Sequence, residues 1–289
     1  MKKGRLTRAA LANSDPASAG ASAAPLPLPY PYLEGLDWVV YRERTGEGYG
    51  NLYLLGELRH GGEGFMGYYF YASLYKVPIA TQLVLLAAIG AFVAHFRRVE
   101  FFKGEWILIC PILFFAIYFS YFFGAQIGLR FFLVVFPLLY IFSGTLLKQG
   151  RSLSRPAAVA LCSAVAYLVL SVLSYYPHFL PYFNELVWDR RLAYKILADS
   201  NLDWGQHGWY VEQYMATHPG VIDEPDRPTA GTIIVDVNSL TGVVGRPEIF
   251  RWLRENFEPV RHVAHATLVF EVSAADLERI EGHTPRTPE

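Results

Sequence analysis

Residues 106–147 read WILICPILFFAIYFSYFFGAQIGLRFFLVVFPLLYIFSGTLL. These 42 positions contain one charged side chain, Arg130. The run shows no period-two alternation, so neither a half-buried strand nor a lipid-facing barrel strand fits it. About 20 apolar residues of helix cross a hydrocarbon core, and in lipid a helix satisfies its own backbone. The stretch therefore reads as two membrane helices that meet at Arg130. Working outward, four segments lack Asp, Glu, Lys and Arg: 77–96, 106–129, 131–147 and 156–183. They predict a four-helix transmembrane bundle over 77–183. Pro78 and Pro156 stand at first-turn positions, where no N–H is missed. Pro111 and Pro137 predict kinks, which membrane helices tolerate. Pro177 and Pro181 end the fourth helix near Tyr176. Tyr75, Trp106, Tyr140, Tyr175 and Tyr176 lie at or near run ends, as interfacial aromatics do.

The chain has 289 residues, with 25 Lys and Arg against 26 Asp and Glu and a net charge of -1. Residues 77–183 hold nine charges in 107 positions, about 8%, whereas the other 182 hold 42, about 23%, a normal soluble value. A near-neutral chain lacks the basic surface that capture of nucleic acid needs, so no nucleic-acid partner is expected. With 53% apolar and 16% aromatic residues, the chain as a whole is not disordered. Cys110 and Cys162 lie in apolar runs and read as small buried hydrophobes, not as zinc ligands or a disulfide framework.

Four spans put both termini on one side. The loops 97–105 and 148–155 carry Arg97, Arg98, Lys103, Lys148, Arg151 and Arg155, which makes them cytoplasmic by the positive-inside rule. Both flanks are then extracytoplasmic, and the expected location is the inner, cytoplasmic membrane, crossed several times. Residues 1–29 are basic, then rich in Ala, Ser and Pro. They lack the apolar core of a signal peptide and read as a disordered tail. Nothing in them would carry 30–76 across a membrane, so the expectation is a chain that lacks an upstream part or whose start has been replaced.

Residues 30–76 read as an extracytoplasmic or interfacial segment. It has a short amphipathic helix over 33–43, an extended piece over 53–58, a turn near Gly61 and an aromatic stretch from Phe65 to Tyr75 at the lipid–water boundary. Residues 184–289 read as a small extracytoplasmic α/β domain. Helical patterns fit 190–197, 208–217, 247–256 and 274–280; strand patterns fit 232–237 and 267–272; 218–230 reads as a loop. Ser273 followed by Asp276 is a capping signal. The fold class is mainly α: a four-helix transmembrane bundle followed by that α/β domain.

The densest polar chemistry lies at 176–206, where the last span emerges. YPHFLPYFNEL (176–186) supplies His178, Tyr182, Asn184 and Glu185, and DSNLDWGQ (199–206) supplies Asp199, Asn201, Asp203, Trp204 and Gln206. Carboxylates beside an aromatic face suit the hydroxyls and C–H faces of a sugar. Five shorter pieces accompany them in order: YLLGE (53–57), GYYF (67–70), KVP (76–78), IGLR (127–130) and FPL (136–138). In order and spacing, this set resembles the C-terminal half of bacterial membrane glycosyltransferases of the GT-C superfamily, in the protein mannosyltransferase and aminoarabinose transferase group. The resemblance covers roughly 26–272, and DSNLDWGQ is its specific element. It departs at His207, where the family pattern has an acidic residue, and around Met66-Gly67, where it has tryptophans. It implies a polyprenyl-phosphate sugar donor used on the extracytoplasmic face, with room for a divalent metal. It also implies an acidic catalytic motif in an N-terminal half that this sequence does not contain; a separate partner chain could supply that half.

Each residue has two readings. Arg130 binds the lipid-linked phosphate with its guanidinium fork, or it snorkels to water at the rim of the bundle. Lys76 adds a point charge to the same phosphate, or it anchors the first span. Asp199, Asn201 and Asp203 alternate as in a calcium loop, but Trp204 and Tyr210 stand where that loop needs Gly and Glu. They are left to cap the helix after Gly205, or to line a sugar cleft with Trp204 and Gln206. His178, Tyr182, Asn184 and Glu185 are cleft residues or polar anchors, and a catalytic His178 needs a partner within hydrogen-bond reach. His262 and His265 read as solvated surface. No metal-ligand set is legible. Two functions compete. One is transfer of a sugar from polyprenyl phosphate to an extracytoplasmic acceptor, by a chain that holds only part of the enzyme. The other is a non-catalytic, membrane-anchored binding or scaffold protein. A transporter fits worse, because the spans carry no ion-pair ladder or inverted repeat.

Overall fold

The computed structural model describes residues 29–48, 50–94, 104–147 and 155–283. The expected disordered tail, up to residue 28, lies outside the described residues, as do the loop residues Arg97, Arg98, Lys103, Lys148 and Arg151. The chain divides into two units, Met1–Tyr41 and Arg42–Glu289. In the first, helix α1 begins; it runs Tyr30–Thr45, longer than the 33–43 pattern, with Trp38 and Tyr41 stacked 5.9 Å apart.

The second unit opens with an antiparallel hairpin, β1 (Asn51–Leu54) and β2 (Glu57–His60). Its two-residue turn places Leu55 and Gly56 at positive φ, the geometry whose twist matches paired strands. Helix α2 (Tyr68–Lys76) follows. Tyr68, Tyr69 and Ala72 are buried, whereas Phe70, Tyr71 and Leu74 face out. The aromatic stretch is therefore half core, not a segment lying wholly on an interface. Tyr69 packs against the Phe119 and Phe132 rings, each at 5.4 Å, pairs worth about 0.5–1.5 kcal/mol beyond buried area.

After Lys76 the chain bends by 118° into α3 (Ile79–Ala94). Pro78 causes the break, because it has no N–H for the Leu74 carbonyl. That carbonyl accepts instead from Gln82 Nε2 at 2.8 Å and Asn184 Nδ2 at 2.6 Å. The Val77 carbonyl takes the same two amides at 2.8 and 2.7 Å. Helix α4 spans Glu105–Tyr121, with Pro111 inside it, and ends well short of residue 129. The third expected span is a composite of a 3-10 turn (Leu129–Val134), α5 (Val135–Ser143) and a second 3-10 turn (Gly144–Leu147). Helix α6 runs Arg155–Leu173.

Among the described residues, α6 alone is long and apolar enough to cross a membrane by itself. The bent pair α2–α3 qualifies together; α4 and the Leu129–Ser143 run are apolar but shorter. The molecule is thus mainly helical with small sheets, and four full-length spans are not what it shows. Helix α3 packs against α5 and α6, and α4 against α5 and α2. Their outer faces expose Leu86, Val93, Phe114, Val165 and Leu170. Cys110 and Cys162 are exposed on the same helices, against the buried reading.

The remainder holds α7 (Gly208–Thr217), β3 (Ile222–Asp223), β4 (Gly231–Asp236), α8 (Val237–Thr241), α9 (Arg251–Asn256), β5 (Arg261–Val263), β6 (Thr267–Val272) and α10 (Ala274–His283). The sheet order is β3-β4-β6-β5, with β3 parallel to β4 and the other pairs antiparallel. The expected 208–217 helix and the two long strands are present. The expected 190–197 helix is a 3-10 turn over Arg190–Lys195, and the 218–230 loop contains the two-residue β3. Ser273 and Asp276 form a reciprocal cap: Ser273 Oγ donates to Asp276 Oδ2 at 2.6 Å, and Asp276 N donates back to Ser273 Oγ at 3.2 Å. Leu52, Tyr69, Phe132, Phe183, Leu202, Val235 and Phe270 belong to one core cluster, so helices and sheet share a core.

Candidate functional site

Two loops build the site, 127–131 and 199–207. Gly128 lies at φ 155, and a Cβ there would meet Ser200 Oγ at 2.5 Å, so the approach requires glycine. Ser200 Oγ donates to the Ile127 carbonyl. Asn201 Oδ1 accepts from Leu129 N at 3.1 Å, and its Nδ2 donates to Tyr68 OH at 2.7 Å and Ala198 O at 3.1 Å. Asn201 is 1% exposed, so it clamps the two loops instead of lining a cleft.

The 3-10 turn carries Arg130 to this junction. Its guanidinium carbon lies 4.2 Å from the Trp204 ring centroid and 5.1 Å from that of Phe131. Nη1 is buried and has no hydrogen-bond partner among the described residues. Trp204 is 71% exposed. Gln206 holds this loop, accepting from Trp204 N at 2.7 Å and donating to Leu202 O at 3.1 Å. Asp199 is at φ 59, with its N–H bonded to Asn238 Oδ1 at 2.7 Å. Burial pushes its carboxyl up to about 6, with Ser200 N–H and Arg130 acting the other way. A fixed cation with an idle buried nitrogen beside an open aromatic face is an arrangement that can hold an anion.

The other expected residues lie in different surroundings. Lys76 Nζ donates to Leu180 O at 2.9 Å and to Asn201 O, and sits 5.1 Å from the Phe183 ring. Its ammonium is engaged with carbonyls of two segments remote in sequence. Asn184 is buried and closes the α2–α3 break described above. Tyr182 OH and Glu185 Oε1 both meet Ser171 Oγ, at 2.8 and 2.5 Å, and Tyr167 OH donates to Glu185. His178 packs on the Tyr210 ring at 4.5 Å and near His265 at 6.1 Å; burial lowers its pKa. Among the described residues no carboxylate pairs with it. His262 and His265 stack 4.0 Å apart, and His265 lies 4.9 Å from Tyr175. They are half-buried, not solvated, because the β5–β6 turn, with Ala264 and His265 at positive φ, folds them inward. Burial, then His262, pushes His265 down to about 3.

A second cluster escaped the sequence reading. Asp203 is buried; its Oδ1 accepts from Gly205 N at 2.9 Å and pairs with His207 Nδ1. His207 Nε2 lies 3.3 Å from Asp236 Oδ2. Asp236 ends β4, caps α8 by accepting from Asn238 N at 2.7 Å, and donates its own N–H to Glu224 Oε1 at 3.0 Å. The Asp203 hydrogen bond raises the His207 pKa against burial, while burial pushes Asp236 up to about 6. Asp203 therefore serves His207 and Gly205, and α7 has no side-chain cap. Asp203, His207 and Asp236 each offer a donor atom, all within 4.8 Å of one another, a group that could hold a metal ion. His207 and Asp236 are far apart in sequence and form no motif; the one trace was His207 standing where an acidic residue is expected. No family model, curated protein or solved structure matches this chain.

Proposed function

We propose that this chain grips the phosphate of a polyprenyl-linked sugar at Arg130, as the C-terminal part of a membrane glycosyltransferase serving an extracytoplasmic acceptor. The observation that carries the reading is the buried Nη1 of Arg130, without a hydrogen-bond partner among the described residues, over the exposed Trp204 ring. Leaving a buried donor idle costs about 1–3 kcal/mol, more for a charged group. A phosphate oxygen would remove that cost, and the indole would offer a face to the sugar. The apolar outer faces of α3, α4 and α6 suit lipid. In this reading α2–α3, α4, the 129–147 run and α6 form the four-pass region in the inner membrane, with 184–289 outside the cytoplasm. Arg130 stabilises the departing lipid phosphate; following the resemblance, a carboxylate of the family's acidic motif activates the acceptor. If a divalent metal takes part, the cluster of His207 and Asp236, with Asp203 behind the imidazole, is the place that would hold it.

Titration of a polyprenyl-phosphate sugar into purified chain tests this. Arg130→Ala should weaken binding at least about 10-fold, since a charge-assisted hydrogen bond is worth roughly 1.5–3 kcal/mol. Arg130→Lys should restore part of it, lacking the fork and the stacking. Unchanged binding by Arg130→Ala would defeat the proposal. A non-catalytic scaffold predicts no headgroup binding even by the wild type.

A further inference from the structure

We infer a divalent-cation site whose ligands are His207 Nε2 and Asp236 Oδ2, with Asp203 as the residue that orients the imidazole. It goes beyond phosphate binding at Arg130 and does not depend on it. Asp236 Oδ2 is buried and has no hydrogen-bond partner among the described residues. It faces His207 Nε2 at 3.3 Å. Two donors sharing one cation through bonds of about 2.0–2.2 Å stand about 3.0–3.4 Å apart. On the far side of the ring, Asp203 Oδ1 meets Nδ1. With Asp203 accepting the proton of Nδ1 and a metal ion displacing the one on Nε2, the ring takes the usual arrangement of a metal-binding histidine.

Charge points the same way. Asp203, Glu224 and Asp236 all act on this place, and His207 is the cationic group that acts on Asp236. Three carboxylates around one imidazole leave a net negative pocket that a divalent ion neutralises. One imidazole nitrogen with one carboxylate oxygen favours an ion of the Mn2+ to Zn2+ type over Ca2+. The rival structure is a metal-free imidazolium bridging Asp203 and Asp236.

The test uses the full-length chain in detergent, stripped of metal, with Zn2+ or Mn2+ alone as the probe. Calorimetric titration should show one site per chain. Asp236→Asn and His207→Gln should abolish it. Asp203→Asn should keep the stoichiometry and weaken affinity about 10–100-fold, as loss of an orienting partner does. Arg130→Ala should leave metal binding unchanged, which separates this site from the phosphate patch. In the wild type, Zn2+ should shift the ring resonances of His207 and not those of His178 or His262; this reading survives even if a variant fails to fold. No bound ion in the wild type, full stoichiometry in both Asp236→Asn and His207→Gln, or Zn2+ shifts at the other histidines instead, would overturn the inference in favour of the imidazolium bridge.

Discussion

Arg130 and Asp199 set the chemistry of the patch between them. Arg130 was legible in the sequence, because one charge inside a long apolar run has few reasons to be there. Its partners were not. Asn184 and Asn201 look like sugar-binding amides on paper, yet both are buried and satisfy backbone groups. Residue type says that an amide will be bonded; only packing says to what. Asp199 adds a pH dependence. Its carboxyl is raised to about 6, chiefly by burial, so its stabilising contribution is complete below about pH 4 and is lost as the pH rises through 6. Above pH 6 the carboxylate also competes for Arg130. A polyprenyl-phosphate sugar is a phosphodiester whose charge is fixed over this range. Its affinity should rise roughly 3–10-fold from pH 7.5 to 5, the size of a coupling near 1 kcal/mol. Asp199→Asn should bind as tightly at pH 7.5 as the wild type does at pH 5. A flat wild-type profile would remove Asp199 from the account.

At the level of elements, the α2–α3 break shows why span lengths were misread. Charge-free runs report which residues avoid water, not where hydrogen bonding stops. Pro78 leaves the Leu74 carbonyl without its helical donor, and the amides of Gln82 and Asn184 replace it. Gly124 and Gly128 lie in the stretch that follows α4, and the chain resumes as a 3-10 turn. The α/β region was more legible: the continuous apolar runs of β4 and β6 and the Ser273–Asp276 cap were all readable, whereas β3 and β5 are too short to carry a pattern. Because Gln82 and Asn184 back each other up, Gln82→Ala and Asn184→Ala should each destabilise by about 1 kcal/mol. The double variant should lose more than the sum, by about 0.5–3 kcal/mol of coupling. Denaturant unfolding of the four proteins measures this; strict additivity would mean that the break is held by something else.

For the whole molecule, the proposed function carries an orientation with it. Asp223 is exposed on β3. With the exposed Cys110 and Cys162 replaced by alanine, Asp223→Cys should react with a membrane-impermeant maleimide from outside the cell, and reaction only from the cytoplasmic side would invert the arrangement. The central claim is that Arg130, with its buried Nη1, holds a lipid phosphate, and it is tested most directly by comparing polyprenyl phosphate with uncharged polyprenol of the same length. Native mass spectrometry of the purified chain can count both. The account predicts that the phosphate is retained in preference by the wild type and that Arg130→Ala abolishes the preference; equal retention of the two lipids by the wild type would contradict it.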